Sequence, residues 1–291
     1  MVNDLSSRLP FYQLPQCGEI NPLPFSDAAN FDPDKRGLVR LWEPPRRAAK
    51  YVMGVDASGG LINWSRHHRT DDDLTTDNGS IEIIRCGDGR MTPDVQVAEY
   101  FAPIDAEDLA DLAVLLGRLY CGNSESGECT AIIEIWPGPG LLTQRRMMNN
   151  FGYTNFFHQE YLDSPVPKAS NSYGWSSNTK TLQLLWSSFS KHLGRKLLHP
   201  RGQLLVELAD LHNVIGKTFP EPTGNMVHDD CVRAAATAVW AAHYWSMSEA
   251  IPEPQKIGAD KKHVNLQATD CSAEDMADIW EEMWQELAGE G

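Results

Sequence analysis

Residues 51–60 read YVMGVDASGG, an apolar run that ends in an acid followed by small residues. The run predicts a buried β-strand that leads into a tight turn. Alternate side chains of a strand share a face, so Val52, Gly54 and Asp56 should lie on one side of a sheet. The segment therefore predicts a core strand that brings a carboxylate to one edge of that sheet.

The chain beyond this strand alternates between strand and helix patterns. Residues 80–101 predict a hairpin that turns at Gly87 to Gly89. Apolar residues at helical spacing, or short apolar runs, predict a helix over 105–120, a strand over 130–136, a helix over 141–152, a strand over 153–158, and helices near 179–193, 202–213 and 228–246. Three successive strands followed by alternating helix and strand predict an α/β fold: a mixed β-sheet with helices packed on it.

The composition divides the chain into three parts. Residues 1–37 hold five of the eighteen prolines and predict an extended N-terminal arm, while 38–250 form the α/β domain. Residues 251–291 predict a linker and an acidic amphipathic helix. We expect no secretory signal and no membrane span, because no stretch has the apolar length that crosses a bilayer. Six cysteines without a CxxC pair predict reduced thiols in a cytosolic protein.

Charge is distributed unevenly along the chain. The net charge is −15, which argues against a generic nucleic-acid coat protein. Residues 270–291 contain eight acids and no Lys or Arg, so the remaining residues carry only −7. The apolar side chains of this tail share a stripe, which predicts that it folds back on its own domain or docks in a groove of a partner.

Three positions place acids where packing should bury them. Asp56 ends the first strand, and Glu134 lies inside the strand AIIEIW, where a buried charge is costly without a partner or a metal. The third position is the pair Asp229 and Asp230, which precedes an alanine-rich helix. Structural roles are open for each: turn hydrogen bonds for Asp56, a buried ion pair for Glu134, and helix capping for the pair.

Helical geometry distinguishes the two adjacent acids. At about 100° per residue, Asp229 shares the stripe of Val232 and Ala236 that should face the sheet. Asp230 should instead face solvent, so we expect Asp229 to be the inward acid. Two strand acids and one helix acid would form an oxygen-rich site suited to Mg²⁺ or Mn²⁺. A pair of such ions activates water and stabilises the leaving oxygen in phosphodiester hydrolysis.

These segments, taken in order, resemble the nuclease domain of tailed-phage terminase large subunits. The resemblance runs from about Leu38 to Tyr244. The motifs are YVMGVDASGG (51–60), DNGSIEIIR (77–85), AIIEIWPGPG (131–140), FGYTNFFH (151–158), YGWSSNTKTLQLL (173–185), LLVELADL (204–211) and GNMVHDDCVRAAATAVWAA (224–242). The family's acid at the end of the first strand matches Asp56. Its strand glutamate before a glycine turn matches Glu134, and its helix acid matches Asp229, with Asp230 adjacent.

The resemblance implies an RNase H-like fold and a two-metal-ion endodeoxyribonuclease that cuts concatemeric viral DNA during genome packaging. Asp56, Glu134 and Asp229 would be catalytic and, with Asp230, would hold two Mg²⁺ or Mn²⁺ ions. The implied partners are double-stranded viral DNA, a packaging ATPase domain or subunit, the small terminase subunit and the portal of the procapsid, which the acidic tail could contact. The implied location is the host cytoplasm.

The sequence departs from the family at two points. A polar insertion over 61–76 follows the first motif, and we expect no ATPase in this chain. VIGKT at 214–218 imitates the end of a P-loop, but Leu211 stands where the leading glycine is needed. Two alternative functions remain open: another RNase H-like nuclease such as a junction resolvase, or a non-catalytic module that grips DNA or docks on the portal.

Basic residues near the predicted cleft are candidates for contacts with DNA phosphates. Arg145 and Arg146 lie on the helix that follows Glu134. The remaining candidates are Lys180, in an aromatic-tipped polar segment, and Lys191, Arg195 and Lys196, in the basic segment 191–201.

Overall fold

A mixed β-sheet with helices on both faces forms the core of the protein. The computed structural model describes residues 15–22, 29–57, 78–87, 92–135, 138–160, 169–194, 198–212, 221–222 and 229–248. The strands are β1 (Gln16–Pro22), β2 (Ala29–Pro33), β3 (Val39–Leu41), β4 (Tyr51–Asp56), β5 (Asn78–Arg85), β6 (Asp94–Pro103), β7 (Thr130–Ile133), β8 (His158–Glu160), β9 (Ala169–Tyr173), β10 (Leu198–His199), β11 (Leu211–His212) and β12 (Glu221–Pro222). The helices are α1 (Ala106–Leu119), α2 (Pro139–Phe151), α3 (Thr179–Gly194), α4 (Gly202–Asp210) and α5 (Asp230–Ser248).

The strand order of the main sheet is β2-β1-β3-β6-β5-β4-β7, with β10 paired to β6. Strands β4, β5 and β6 form an antiparallel meander, and β7 then returns parallel to β4. The sheet is therefore mixed, and the α/β fold with a mixed sheet predicted from the sequence is confirmed. The order β6-β5-β4-β7 agrees with the RNase H-like fold that the resemblance implies. Strands β8 and β9, and β11 and β12, form two small separate sheets.

Both faces of the central strands are buried, which explains their nearly continuous apolar sequences. Along β4, Met53 and Val55 pack into a core shared with α1 and α2. Val52 points to the other side, into a core that includes residues of α3, α4 and α5. Since side chains alternate, Gly54 and Asp56 share this second face with Val52.

Residues that favour helix ends lie at the start of α1 and at the end of α2. Asp105 caps α1, because its carboxylate accepts hydrogen bonds from the backbone N–H groups of Glu107 and Asp108. Helix α2 ends at Gly152, which adopts the left-handed conformation with φ of 65°. The helices predicted over 105–120 and 141–152 are therefore confirmed to within two residues at each end.

The N-terminal arm is partly built into the sheet. Strands β1 and β2 form an antiparallel hairpin, and β1 also pairs with β3, so the sheet continues across the predicted boundary at residue 37. The acidic segment 251–291 and the insertion 61–76 lie outside the described residues. In the part of the chain that the structure describes, no helix is long and apolar enough to span a bilayer.

Candidate metal centre

Asp56 and Glu134 lie side by side at the ends of two paired strands. Val55 of β4 is in register with Ile133 of β7, and the Glu134 N–H donates a hydrogen bond to the Val55 carbonyl at 3.3 Å. Asp56 follows Val55 and Glu134 follows Ile133, so both carboxylates project from the same end of the sheet. Both are also on the face that α5 covers.

Close packing of α5 on β4 brings the helix acids to the same place. A Cβ atom at Gly54 would lie 1.9 Å from the Ala234 carbonyl oxygen, so the helix backbone rests directly on the strand. Asp230 is one helical turn before Ala234, and Asp56 is two residues after Gly54. The contact at Gly54 therefore sets how near the start of α5 comes to the strand carboxylates.

Two further contacts fix the first turn of α5. The Ser80 hydroxyl donates to the Cys231 sulfur at 3.4 Å, and Ser80 pairs with Asp56 across β4 and β5. The Glu207 carboxylate of α4 accepts a hydrogen bond from the Val232 N–H at 3.1 Å. Burial raises the pKa of Glu207 to about 7. The start of the helix is therefore held by both β5 and α4.

The acids influence one another electrostatically. Burial raises the pKa of the Asp56 carboxyl well above its ordinary value, and the negative charges of Glu134, Asp230 and Asp229 raise it further. The contacts agree with this: the Arg233 guanidinium bonds Asp229 and lies 3.8 Å from Glu134, and Glu134 follows the residue paired with Val55, next to Asp56. The acids predicted for the metal site therefore lie in one region of the structure, and their binding of a metal stays a prediction.

Asp229 and Asp230 are both partly buried, so the expectation that Asp229 is the inward acid stays a prediction. Asp230 raises the pKa of Asp56 more than Asp229 does, so it is the acid with the stronger influence on the strand carboxylate. Thr237 lies seven residues after Asp230, on the same side of the helix, where solvent was expected, and is only 2% exposed. Helix α5 is buried on more than one side, and the sequence pattern therefore does not identify a single inward stripe.

Arg233 is a cation within this cluster, and its place in the sequence does not mark it as a site residue. Its guanidinium donates to Asp229 at 2.8 Å and lies 3.8 Å from Glu134. Its positive charge lowers the pKa of Asp56, opposing the neighbouring acids. The one available signal was its position one turn after Asp229, the spacing at which side chains of a helix meet.

The donor set fits a hard divalent cation. Carboxylate oxygens are the side-chain ligands that Mg²⁺ and Mn²⁺ prefer, and four converging acids supply several of them. Among the described residues, ligand atoms of three residues come within 4.8 Å of one another in two groups away from these acids, Asp94–His192–His243 and Glu82–Glu99–Cys231. The acids around Asp56 are spaced more widely than either group, with Arg233 among them.

The predicted DNA-contacting residues have different surroundings. Arg145 is exposed on α2. Arg146 is held by Asp111 of α1 through two hydrogen bonds of 2.5 and 2.8 Å, so it joins the two helices. Lys191 is partly buried on α3. The side chain of Lys180, and Arg195 and Lys196 as a whole, lie outside what the structure describes. Contact with DNA stays a prediction for all of them.

Comparisons with known proteins give similarity at the level of structure. No protein-family model matches the chain, and no curated protein matches its sequence. The large terminase nuclease of thermophilic phage G20c with bound magnesium is 13% identical, with a TM-score of 0.46, over 71% of this chain and 89% of that chain. The same nuclease with bound cobalt is 15% identical, with a TM-score of 0.45 and the same coverage. In structure, therefore, the chain is similar to the nuclease of a phage large terminase.

Proposed function

We propose that this chain is a metal-dependent DNA endonuclease, the nuclease module of a viral packaging terminase that cuts concatemeric DNA. The proposal is supported by the arrangement at one end of the sheet, where Asp56 lies beside Glu134 and Arg233 links Glu134 to Asp229, the neighbour of Asp230. These acids come from three elements that are far apart in sequence. The order of the sequence motifs supports the specific role in packaging.

Strand pairing and helix packing around the carboxylates support ion binding. Asp56 and Glu134 follow hydrogen-bonded strands, and the helix acids are fixed by the packing of α5 at Gly54. In the proposal, Asp56, Glu134, Asp229 and Asp230 hold two Mg²⁺ or Mn²⁺ ions. When bound, such ions activate the attacking water and stabilise the departing 3′ oxygen.

Arg233 balances the acids while no ion is bound. Its contacts with Asp229 and Glu134 offset part of the repulsion among the carboxylates. Because a divalent ion would supply the same positive charge, we expect Arg233 to move away from the acids as they turn toward the metal. The guanidinium would then be available to a phosphate of the bound DNA.

The proposed partners follow from the resemblance in sequence motifs. They are double-stranded viral DNA, a packaging ATPase domain or subunit, the small terminase subunit and the portal of the procapsid. Translocation would be performed by the ATPase. Cleavage should show weak sequence preference, because phosphate contacts position a protein on DNA without reading its bases.

Nicking of supercoiled plasmid in Mn²⁺ tests the proposal. We expect the wild-type chain to nick the plasmid, and Asp56→Asn to lower the rate by roughly 10³-fold or more, the scale of losing an essential catalytic group. Asp32→Asn is the matched control, since Asp32 is exposed on β2. Plasmid left intact in Mg²⁺, Mn²⁺ and Co²⁺ would reject the nuclease and favour a DNA-gripping module.

Product analysis separates the terminase module from another RNase H-like nuclease. A packaging nuclease should cut linear duplex at least as well as a four-way junction of the same arms. Strong preference for the junction, with symmetric cuts at its centre, would instead assign a junction resolvase.

A further inference from the structure

A second group of potential metal ligands lies at the far end of α5. His243 of α5, His192 of α3 and Asp94 of β6 each offer a ligand atom, and these atoms lie within 4.8 Å of one another. His192 and Asp94 are each only 5% exposed. His243 is thirteen residues after Asp230, which corresponds to roughly 20 Å along the helix. The group is therefore separate from the carboxylate cluster.

Hydrogen bonds to the backbone orient two of these side chains. The His192 Nδ1 atom lies 2.9 Å from the Ser188 carbonyl oxygen, and in the tautomer that donates this bond Nε2 carries the lone pair. The Asp94 Oδ1 atom accepts a hydrogen bond from the Gly87 N–H at 2.7 Å. The other carboxylate oxygen, Oδ2, lies on the side of His192. Histidine ligands of metals commonly donate their other ring N–H to a carbonyl or carboxylate in this way.

The distance between these two side chains suits ligands of one ion. His192 Nε2 and Asp94 Oδ2 are 3.8 Å apart, which is too long for a hydrogen bond. Two ligands of a tetrahedral zinc ion are about 3.4 Å apart, given zinc–ligand bonds of about 2.0–2.1 Å. A small adjustment of either side chain would therefore place both atoms in one coordination sphere.

His243 of α5 lies against the His192 ring. Its Nε2 atom lies 3.1 Å from His192 Nδ1, and the two ring centroids are 3.6 Å apart. His243 thereby brings a third ligand atom within 4.8 Å of those of His192 and Asp94.

We propose that Asp94, His192 and His243 form a zinc site that joins β6, α3 and α5. Two imidazoles and one carboxylate suit Zn²⁺, whereas Mg²⁺ prefers oxygen ligands alone. Water can fill the fourth tetrahedral position on the partly exposed His243 side. The site fixes the far end of α5, so its role is structural and independent of the nuclease chemistry.

Equilibrium binding of Zn²⁺ to the whole chain tests the site. The experiment uses Asp56→Asn combined with Asp230→Asn, so that the carboxylate cluster does not contribute. We expect this double variant to bind Zn²⁺ and to melt at a higher temperature with the metal than with a chelator. Adding His243→Gln should weaken zinc binding by more than about tenfold, the scale seen when metal sites lose supporting groups.

His158→Gln is the matched control, because His158 is exposed on β8 and distant in sequence from the group. It should leave zinc binding unchanged. Co²⁺ provides a readout that needs no further substitution: in the double variant it should give the intense visible absorption of a tetrahedral site. The proposal is overturned if His243→Gln binds Zn²⁺ as tightly as its parent, or if Co²⁺ gives only the weak octahedral spectrum.

Discussion

Asp56 is placed where its charged form is costly. It ends a strand beside Glu134, faces the acids of α5, and has its pKa raised by burial as well as by these charges. A carboxyl in this position favours the neutral form unless a cation is present. The residue is therefore unfavourable for the stability of the metal-free protein and favourable for binding a divalent ion.

The stability of the metal-free protein should consequently depend on Asp56 and on pH. The unfolded chain releases this proton near the ordinary value of 3.8, while the folded chain keeps it to higher pH. Between these two values the folded state binds more protons, so stability falls as pH rises and the full penalty is present above the raised pKa. Asp56→Asn removes the penalty and should raise the Tm at neutral pH by about 2 °C or more.

Thermal unfolding in chelator and in Mg²⁺, followed from acid to neutral pH, measures this effect. Wild type should gain Tm when Mg²⁺ is added at neutral pH and should gain less in acid, because protons compete with the ion. Asp56→Asn should gain little at either pH, and Asp32→Asn should behave as wild type. A metal-free Asp56→Asn protein that melts below wild type at neutral pH would show that the charged carboxylate is stabilising.

At the scale of elements, the site depends on how closely α5 approaches β4. The glycine at position 54 allows the Ala234 carbonyl to sit against the strand, and a methyl group there would overlap with helix backbone. The helix must then move outward, taking Asp230 away from Asp56. No carboxylate is altered by such a change.

Gly54→Ala should therefore reduce activity without removing a single ligand. Overpacking of this kind costs about 1–3 kcal/mol of unfolding free energy. We expect the nicking rate of Gly54→Ala to fall by more than the loss of folded protein explains. The measurement is the nicking rate per folded molecule at several Mn²⁺ concentrations. Val206→Ala removes methyl groups from a side chain that is 54% exposed on α4 and serves as the control. Nicking by Gly54→Ala at the wild-type rate would mean that helix position is not limiting.

The sequence predicted the elements whose burial leaves a clear pattern. Strand β4 and helix α1 follow from their apolar spacing, and Asp105 and Gly152 mark helix ends through their own backbone preferences. Strand β1, which reads QCGEINP, shows no regular alternation of apolar residues. Its place in the sheet depends on pairing with β2 and β3, which no local pattern encodes.

The sequence selects candidate acids for the site but does not give their arrangement. Acids inside or at the end of an apolar strand pattern are unusual, so the sequence alone marks Asp56 and Glu134 as candidate metal ligands. The relative placement of Asp229 and Asp230 was not predictable, because α5 is buried on several sides by the sheet, α3 and α4. The contribution of Arg233 was also missed, since its role depends on the distance to Glu134 on another element.

On the scale of the whole molecule, the negative net charge of the chain repels DNA, its proposed substrate. The chain carries −15, yet DNA is itself strongly negative. Eight acids within residues 270–291 account for more than half of this charge. Long-range repulsion of this kind slows the approach of DNA, and salt screens it over a Debye length of about 30 Å at 0.01 M and about 8 Å at 0.15 M.

Deleting residues 270–291 should leave nicking intact or raise its rate, and should tighten DNA binding most at low salt. Filter binding and nicking rates across a salt series measure both effects, and the difference from wild type should shrink as salt increases. Changing the eight acids to Asn and Gln while keeping the apolar residues separates charge from packing. If this variant matches the deletion, the tail acts through its charge. If the deletion unfolds the domain while the neutralised chain folds normally, the tail instead stabilises its own domain by packing against it.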